Sequence, residues 1–526
     1  MKQLMIGNRA VARGLYDGGI KFMSSYPGTP STEITEFIAK YDNVKSEWAP
    51  NEKVGMEAAF GASLAGVRSA CAMKHVGLNV AADPLFTMSY TGVNGGLVIC
   101  VADDPAMHSS QNEQDSRFYG KFALIPIFEP STQQEAYDMM KVAFEMSEAI
   151  KEPVLLRVVT RLAHSRANVV VQEPQKENAL SPSTDQWVLL PGIAKKKYAA
   201  LLEKQPLMLE ASEKSSFNKV EKADKKLGIV ACGIGYNYVK EAVGDDAYIL
   251  KVSQYPLPAK QILSMAEDCD EILVVEDGQP VVEEGVRNII GDKAKVIGRL
   301  TGNLPRTGEL TPDAVAVALG IPAPELFEPA KNLVARPPQL CQGCGHRDVY
   351  GALVNILNEY PDARVFGDIG CYTLGALPPF KALASCVDMG ASITMAKGAA
   401  DAGLRPAIAV IGDSTFTHSG MTGLLDAIND NSAITVIISD NLTTGMTGGQ
   451  DSAGTNKFEA ICLGLGMDPA HLHVVTPLPK NIPAITQLIK DEIDYEGVSV
   501  IIPRRECIQT ASRHAREKAR NNKEAK

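Results

Sequence analysis

The chain of 526 residues is 45% hydrophobic and 22% charged, which is typical of a globular protein with room for about three domains. Its formal net charge of −10 argues against a nucleic acid or an anionic membrane surface as the main partner. Ten cysteines in so long a chain are too few for a disulfide scaffold, so clustered cysteines indicate metal or redox chemistry in a reducing compartment.

A cytoplasmic location is predicted. Asn8, Arg9 and Arg13 interrupt the N-terminal apolar residues, where a signal peptide needs a continuous core. No apolar run approaches the roughly 18 residues that span a bilayer.

The first predicted domain covers residues 1–170, with a closely packed Gly/Ala-rich helix at 58–66 and a buried strand at 97–102. Glu52 precedes that helix and is a candidate acid or base. The alternatives are a surface glutamate that stabilises a helix start, or a role for Glu57 instead. His75 is a candidate for a substrate site and, equally, for a satisfied core histidine.

The middle of the chain divides into a linker and a second domain. Residues 171–225 are rich in Lys and Glu and contain several prolines, which predicts a linker. Residues 226–330 restart an α/β pattern, with strands predicted at 227–231 and 272–275. The Gly-x-Gly at 233–235 is too weak a signal for a nucleotide site.

The last predicted domain covers residues 336–526 and contains a β-α-β unit. Apolar strands at 407–411 and 434–438 enclose a helix at 421–428, so the two strands should run parallel.

Polar side chains follow both of these strands. Asp413 and Asn441 fall at the carboxyl ends, where parallel sheets collect ligands. A carboxylate and an amide near glycines suit Mg²⁺, which completes its octahedron with phosphates and water. The alternative is ordinary turn chemistry at two loop ends.

Four cysteines stand at comparable boundaries. Cys341 and Cys344 form a Cys-x-x-Cys pair, and Cys371 and Cys507 each follow a strand-like run. Four thiolates at one sheet edge would hold a [4Fe–4S] cluster. The pair alone also fits half a zinc ribbon or a thioredoxin-type motif, and Cys371 and Cys507 also fit buried small hydrophobic residues.

Motifs along nearly the whole chain carry a family resemblance. The chain resembles the α subunits of indolepyruvate:ferredoxin oxidoreductases, in the 2-oxoacid:ferredoxin oxidoreductase superfamily. The matching residues are Tyr26-Pro-Gly-Thr-Pro30, Asn51-Glu-Lys-Val54, Met73-Lys-His-Val-Gly-Leu-Asn-Val80, Cys341-Gln-Gly-Cys344, Gly367-Asp-Ile-Gly-Cys-Tyr-Thr-Leu-Gly375, Gly412-Asp-Ser-Thr-Phe416 and Thr447-Gly-Gly-Gln450.

The resemblance implies an α/β fold of three doubly wound parallel-sheet domains. A pyrimidine-type domain and a diphosphate-type domain would bind thiamine diphosphate, and residues 226–330 would form a transketolase C-terminal-like domain. Asp413, Asn441 and the Thr443 carbonyl would hold Mg²⁺. The further cofactor contacts it implies are Gly412, Ser414, Gly370 and Tyr372.

The resemblance also implies the chemistry. Glu52 would meet N1′ of the aminopyrimidine, Thr29 would contact substrate, and His75 would line the substrate side. Cys341, Cys344, Cys371 and Cys507 would hold the [4Fe–4S] cluster. The implied reaction is oxidative decarboxylation of a 2-oxoacid to its acyl-coenzyme A.

Two departures from the family pattern shape the expected partners and substrate. The sequence lacks the C-terminal ferredoxin-like segment, so electrons should leave through a separate ferredoxin-like subunit, in a hetero-oligomer that also contains a smaller oxidoreductase subunit. Asp103-Asp104-Pro105 replaces the loop arginine of pyruvate-specific relatives, which favours a bulky aryl or branched 2-oxoacid. The alternatives are a non-redox thiamine-dependent decarboxylase or carboligase, and an assembly subunit with structural zinc.

Overall fold

A computed structural model describes residues 2–175, 187–322, 327–334 and 336–524. It divides the chain into two compact units, Met1–Glu328 and Pro329–Lys526, which are described separately. Among the described residues, no helix combines the length and apolar character needed to cross a lipid bilayer.

The first unit alternates strands and helices. Its strands are β1 Lys2–Ile6, β2 Phe22–Ser25, β3 Lys45–Trp48, β4 Ser69–Lys74, β5 Leu97–Asp103, β6 Ile127–Phe128, β7 Val154–Val159, β8 Arg166–Val170, β9 Lys219–Glu221, β10 Leu227–Cys232, β11 Tyr248–Val252, β12 Gln254–Tyr255, β13 Glu271–Val275 and β14 Lys295–Ile297. Its helices are α1 Gly7–Asp17, α2 Thr32–Ile38, α3 Glu52–Leu64, α4 His75–Val80, α5 Ala82–Thr91, α6 Ser116–Ala123, α7 Gln133–Ile150, α8 Thr160–His164, α9 Pro191–Glu213, α10 Gly235–Val243, α11 Ala259–Asp268, α12 Val281–Ile290 and α13 Pro312–Ala318.

Two large sheets organise these elements, and β1 and β8 form a separate antiparallel pair. The larger has the order β12-β6-β7-β5-β4-β2-β3 and is parallel except for β12. The smaller has the order β14-β13-β10-β11-β9 and is parallel except for β9. Strands β5 and β7 are buried along their whole length, as expected where helices cover both faces of a parallel sheet. The predicted α/β class is confirmed.

The prediction of a linker at residues 171–225 is corrected by the structure, because the described residues of this segment form a helix and a strand. Helix α9 covers Pro191–Glu213 and buries Leu201 and Met208, and strand β9 pairs antiparallel with β11. The helix forms because most of this segment is Ala, Leu, Lys and Glu, which favour helices despite the internal Pro206. Residues 176–186 of the predicted linker lie outside the described part of the chain.

A buried ionic network joins the carboxyl ends of the two sheets. The Arg157 Nε lies 2.6 Å from Asp103, and its Nη1 lies 2.5 Å from Glu129. Its Nη2 donates to the carbonyl of Asp277, which follows β13 in the second sheet. Burial raises the pKa of Asp103, and the guanidinium of Arg157 opposes that shift. The paired arginine therefore offsets part of the cost of burying these carboxylates.

The second unit is a single parallel sheet covered by helices. Its strands are β15 Arg364–Gly367, β16 Ser385–Cys386, β17 Ala407–Gly412, β18 Ile434–Ser439, β19 Leu472–Val475 and β20 Val498–Pro503, in the order β16-β15-β17-β18-β20-β19. Its helices are α14 Gly345–Glu359, α15 Ala391–Asp401, α16 Asp413–Thr415, α17 Met421–Asn429, α18 Phe458–Gly464, α19 Ile482–Ile493 and α20 Ile508–Glu524, with a π-helical turn at Phe416–Gly420. The predicted β-α-β unit is present as β17, α17 and β18, with parallel strands.

Removing the central cation of the network should destabilise the first unit. Arg157→Met removes the cation closest to the buried carboxylates of Asp103 and Glu129, so the free energy of unfolding should fall by about 3–5 kcal/mol. Urea denaturation followed by tryptophan fluorescence measures this change. Both tryptophans of the chain, Trp48 and Trp187, belong to this unit.

The matched control is Arg161→Met. Arg161 pairs with Glu309 but keeps 43% of its side chain exposed, so its loss should cost less than about 1 kcal/mol. Equal effects of the two substitutions would contradict a special role for the buried network.

Candidate functional site

The carboxyl edge of the second unit's sheet gathers the predicted cofactor residues. Strands β17 and β18 pair in register with Gly412 opposite Ser439, so they end level with each other. Asp413 follows β17 directly, and Asn441 follows β18 after one residue. Because the strands are parallel, both loops emerge on the same side.

The backbone amide of Thr443 joins Asp413 and Asn441. It donates to Asp413 Oδ2 at 3.0 Å and lies 3.2 Å from Asn441 Oδ1. The Ser414 amide donates to the other Asp413 oxygen at 2.7 Å. Asp413 is only 3% exposed, and burial raises its carboxyl pKa to about 7 although these amides lower it.

This oxygen set fits a hard cation. A carboxylate so deeply buried is costly without a compensating charge, and a cation coordinated to it would restore the ionised form. One carboxylate, one amide oxygen and a nearby backbone carbonyl are ligands that Mg²⁺ accepts when phosphates and water complete its shell. In the described ranges, no three His, Cys, Asp or Glu side chains stand together in metal-binding geometry.

The other predicted cofactor contacts of this unit, Ser414, Gly370, Tyr372 and Gly412, lie around Asp413 and the end of β17. Ser414 Oγ lies 2.8 Å from Thr444 Oγ1, which ties the two strand ends together. The ring of Tyr372 fills the space beside Gly370 and Gly412, where a Cβ would lie 2.3 and 2.5 Å from its Cε1. The Tyr372 hydroxyl donates to the buried carboxylate of Asp368, so this tyrosine supports the loop through packing and that bond.

The four predicted cysteines line one cavity of about 100 Å³ in the second unit. Cys341 is exposed, and Cys344, Cys371 and Cys507 are half-buried. Burial raises the thiol pKa of Cys371 to about 12 and also raises that of Cys344, and neighbouring thiols act in the same direction. These shifts disfavour free thiolates, so the fit to an iron–sulfur group rests on the four sulfur donors that surround one cavity.

Gly445 lies where the cysteine cavity meets the loop after β18, which carries Asn441. A Cβ at this position would lie 3.5 Å from Cys371 Sγ, 3.7 Å from Asn441 Nδ2 and 4.0 Å from Cys507 Sγ. The amide of Cys507 donates to the Asn441 carbonyl at 3.0 Å. The two predicted cofactor sites of this unit are therefore contiguous.

Sequence reasoning assigned no role to His346, which lines the same cavity. Its ring is 4% exposed, and its Nε2 lies 3.4 Å from Asn441 Nδ2. Burial lowers its pKa to about 4, which keeps the ring neutral. The sequence signal that could have indicated a role is its position two residues after Cys344 of the Cys-x-x-Cys pair.

The other predicted site residues lie in the first unit, at the carboxyl edge of the larger sheet. Glu52 is the first residue of α3, is 5% exposed and packs against the backbone of Gly77. The Thr29 carbonyl accepts a hydrogen bond from Ser109 Oγ at 3.2 Å. His75 is buried, with Nε2 3.0 Å from the Asn112 carbonyl. Each unit therefore has a sheet edge with polar, buried groups of its own.

Two protein-family models match the chain. Residues 13–203 match "Pyruvate flavodoxin/ferredoxin oxidoreductase, thiamine diP-bdg", and residues 368–501 match "Thiamine pyrophosphate enzyme, C-terminal TPP binding domain". Together with the doubly wound sheets, these matches define a thiamine-diphosphate-binding oxidoreductase of the 2-oxoacid class.

Curated relatives give the family. The indolepyruvate oxidoreductase subunit IorA of Archaeoglobus fulgidus is 39% identical over 98% of this chain and 88% of its own length. That of Pyrococcus abyssi is also 39% identical, over 96% of this chain and 85% of its own length. The chain belongs to the family of indolepyruvate oxidoreductase subunits IorA, within the 2-oxoacid:ferredoxin oxidoreductases.

A solved structure is also similar in part. The 2-oxoglutarate:ferredoxin oxidoreductase from Magnetococcus marinus aligns with a TM-score of 0.49 and 17% sequence identity, covering 61% of this chain and 65% of that one.

Proposed function

We propose that this protein carries out the thiamine-diphosphate-dependent oxidation of a bulky aryl 2-oxoacid, such as indolepyruvate, to its acyl-coenzyme A. The 2-oxoacid and coenzyme A give the acyl thioester, carbon dioxide, one proton and two electrons, and the electrons pass to a ferredoxin-type acceptor. The observation that carries the proposal is that the loop after β18, which carries Asn441, adjoins the four-cysteine cavity. A redox group held in that cavity would lie beside the proposed cofactor site.

Asp413, Asn441 and the Thr443 carbonyl would hold Mg²⁺ and, through it, the cofactor diphosphate. Bound thiamine diphosphate supplies a nucleophilic carbon and takes up the electron pair that decarboxylation releases. The chain's own task is to hold the diphosphate. The level ends of β17 and β18 support that task because they fix the carboxylate and amide oxygens on one rigid edge.

Glu52 would hold and move the proton at N1′ of the aminopyrimidine. Its burial at the start of α3 supports this role, because a buried carboxylate is a stronger partner for a ring nitrogen than a solvated one. Thr29 and His75 lie at the same sheet edge and would face the substrate.

The loop after β5 supports the proposed substrate class. Asp103 is committed to the buried pair with Arg157, and Asp104 accepts from Ser109, Ser110 and Thr160. This loop therefore carries structural acids and no arginine that would clamp a small 2-oxoacid, which supports a bulkier aryl substrate. The names of the IorA relatives agree with that class.

Cys341, Cys344, Cys371 and Cys507 would hold a [4Fe–4S] cluster, which supplies one-electron transfer when bound. The proposed assembly includes a smaller oxidoreductase subunit and a ferredoxin-like subunit, because the IorA relatives are named as subunits and the electrons need an exit.

Turnover tests the whole proposal. The complex, purified anaerobically with its partner subunits, should convert indolepyruvate and coenzyme A to indoleacetyl-coenzyme A while it reduces a low-potential dye. Asp413→Asn should bind thiamine diphosphate with Mg²⁺ at least about tenfold more weakly, since a charge-assisted metal contact is lost. Release of an aldehyde without dye reduction would instead identify a non-redox decarboxylase.

A glycine substitution tests the position of Glu52. A Cβ at Gly77 would lie 2.5 Å from Glu52 Oε1 and 2.6 Å from its Cγ, so Gly77→Ala must displace the carboxylate. Turnover should fall as far as in Glu52→Gln, while the melting temperature changes little because alanine favours helix α4. Gly61→Ala in α3 is the control, since no atom outside the adjoining backbone of its own helix and its two chain neighbours lies within 4 Å of its Cβ position. Wild-type turnover in Gly77→Ala would remove Glu52 from this role.

Iron analysis tests the cysteine cavity. Cys371→Ala should lose iron, sulfide and visible absorption, because one ligand of four is removed. Cys386→Ala is the matched control, since Cys386 is an exposed cysteine of the same unit that does not line the cavity. Unchanged iron in Cys371→Ala would refute its assignment, and zinc in place of iron would indicate a structural site.

A further inference from the structure

Lys74 ends strand β4 between two loops of the first unit. Its Nζ donates to the Ser109 carbonyl at 3.0 Å. Its aliphatic stem packs against Gly28, where a Cβ would lie 3.1 Å from Lys74 Cδ. Ser109 Oγ in turn donates to the Thr29 carbonyl at 3.2 Å. The lysine is thus held at the sheet edge beside the predicted substrate contact.

The charge of Lys74 is not neutralised by a close partner. In the part of the chain that the structure describes, no carboxylate oxygen lies within 4.0 Å of its nitrogen. Burial lowers the pKa of Lys74, and the charges of Asp104 and Glu52 oppose that shift without contacting it as ion pairs. An ammonium with three donors and one hydrogen bond has donors left for an anion.

Neighbouring guanidinium groups are committed elsewhere. Arg117 pairs with Asp115 and Glu276 in the buried network, and Arg157 pairs with Asp103. These arginines are at most 1% exposed, so they offer nothing to a ligand.

We propose that Lys74 binds the carboxylate of the incoming 2-oxoacid and so positions its carbonyl at the edge that holds Glu52 and Thr29. This inference rests on the proposed function and deepens it, because it assigns the anion-binding group that the loop after β5 does not supply. A partly desolvated ammonium forms a charge-assisted hydrogen bond to a carboxylate, and that bond is stronger than one between solvated groups.

The competing role for Lys74 is structural. Its bond to Ser109 holds the loop that follows β5, and loss of that bond would disturb every ligand of the site alike. An effect on ligands that carry a carboxylate, and not on those without one, therefore distinguishes binding of the substrate carboxylate by Lys74 from structural support of the loop.

The test compares two probes on the complex with its partner subunits. Indole-3-lactate carries the side chain and the carboxylate, whereas tryptophol carries the side chain without the carboxylate. Lys74→Met keeps the length of the stem that packs on Gly28 but removes the charge. Calorimetry should show indole-3-lactate binding about 10- to 100-fold more weakly and tryptophol binding within twofold of wild type.

Kinetics and matched variants complete the test. In Lys74→Met the KM for indolepyruvate should rise by a similar factor with a smaller change in kcat, and Lys74→Arg should recover part of the loss. Lys141→Met, which removes an exposed lysine on α7, should match wild type throughout.

Three results would overturn the assignment. Equal weakening of both probes would make Lys74 a support for the loop, weaker thiamine diphosphate binding would make it a cofactor contact, and unchanged binding would leave it without either role. Failure of the wild-type complex to oxidise any aryl 2-oxoacid would instead refute the proposed function, so the two failures are distinguishable.

Discussion

The second unit depends on the level ends of neighbouring parallel strands. The pairing of Gly412 with Ser439 fixes where β17 and β18 end. The positions of Asp413 and Asn441, which follow these strands, depend on that register. A slip of one residue would turn the following side chains to the other face of the sheet. Both strands are buried along their whole length, so the core itself opposes such a slip.

The loop after β18 is then held by the end of β20. The amide of Asp440 donates to the Pro503 carbonyl at 3.1 Å, and Arg504 Nε lies 2.6 Å from Asp440 Oδ2. Three residues after Arg504, the amide of Cys507 donates to the Asn441 carbonyl. One cysteine of the cavity is therefore tied to the loop after β18 by a backbone hydrogen bond.

Much of this edge is predictable from the sequence, because its signals are local. Continuous apolar runs that end in Gly-Asp or Asp-Asn specify buried parallel strands with polar loop ends, and β17, α17 and β18 are confirmed near the predicted bounds. Helix α9 is less visible, because its exposed face is rich in lysine and Pro206 interrupts the pattern. The residue roles at both sheet edges stay predictions, since they concern groups that bind from outside the chain.

The buried network of the first unit is the feature that sequence reasoning had no means to find. Asp103, Glu129, Arg157 and Asp277 are far apart in the chain, and each reads alone as a surface charge. Only the tertiary fold brings them together, where each residue is at most 4% exposed. Such long-range pairing leaves no periodicity or short motif in the sequence.

This network also constrains where substrate recognition can arise. Asp103 ends β5 and is committed to Arg157, so the strand that borders β4 contributes structure at its carboxyl end. The neighbouring strand β4 ends in Lys74, whose ammonium has a single carbonyl partner among the described residues. The end of β5 thus serves stability, and the proposed binding of the substrate carboxylate falls to the end of the adjacent strand β4. The carboxylate of Asp103 at the end of β5 belongs to the buried network. The ammonium of Lys74 at the end of β4 keeps hydrogen-bond donors for the anion that we propose it binds.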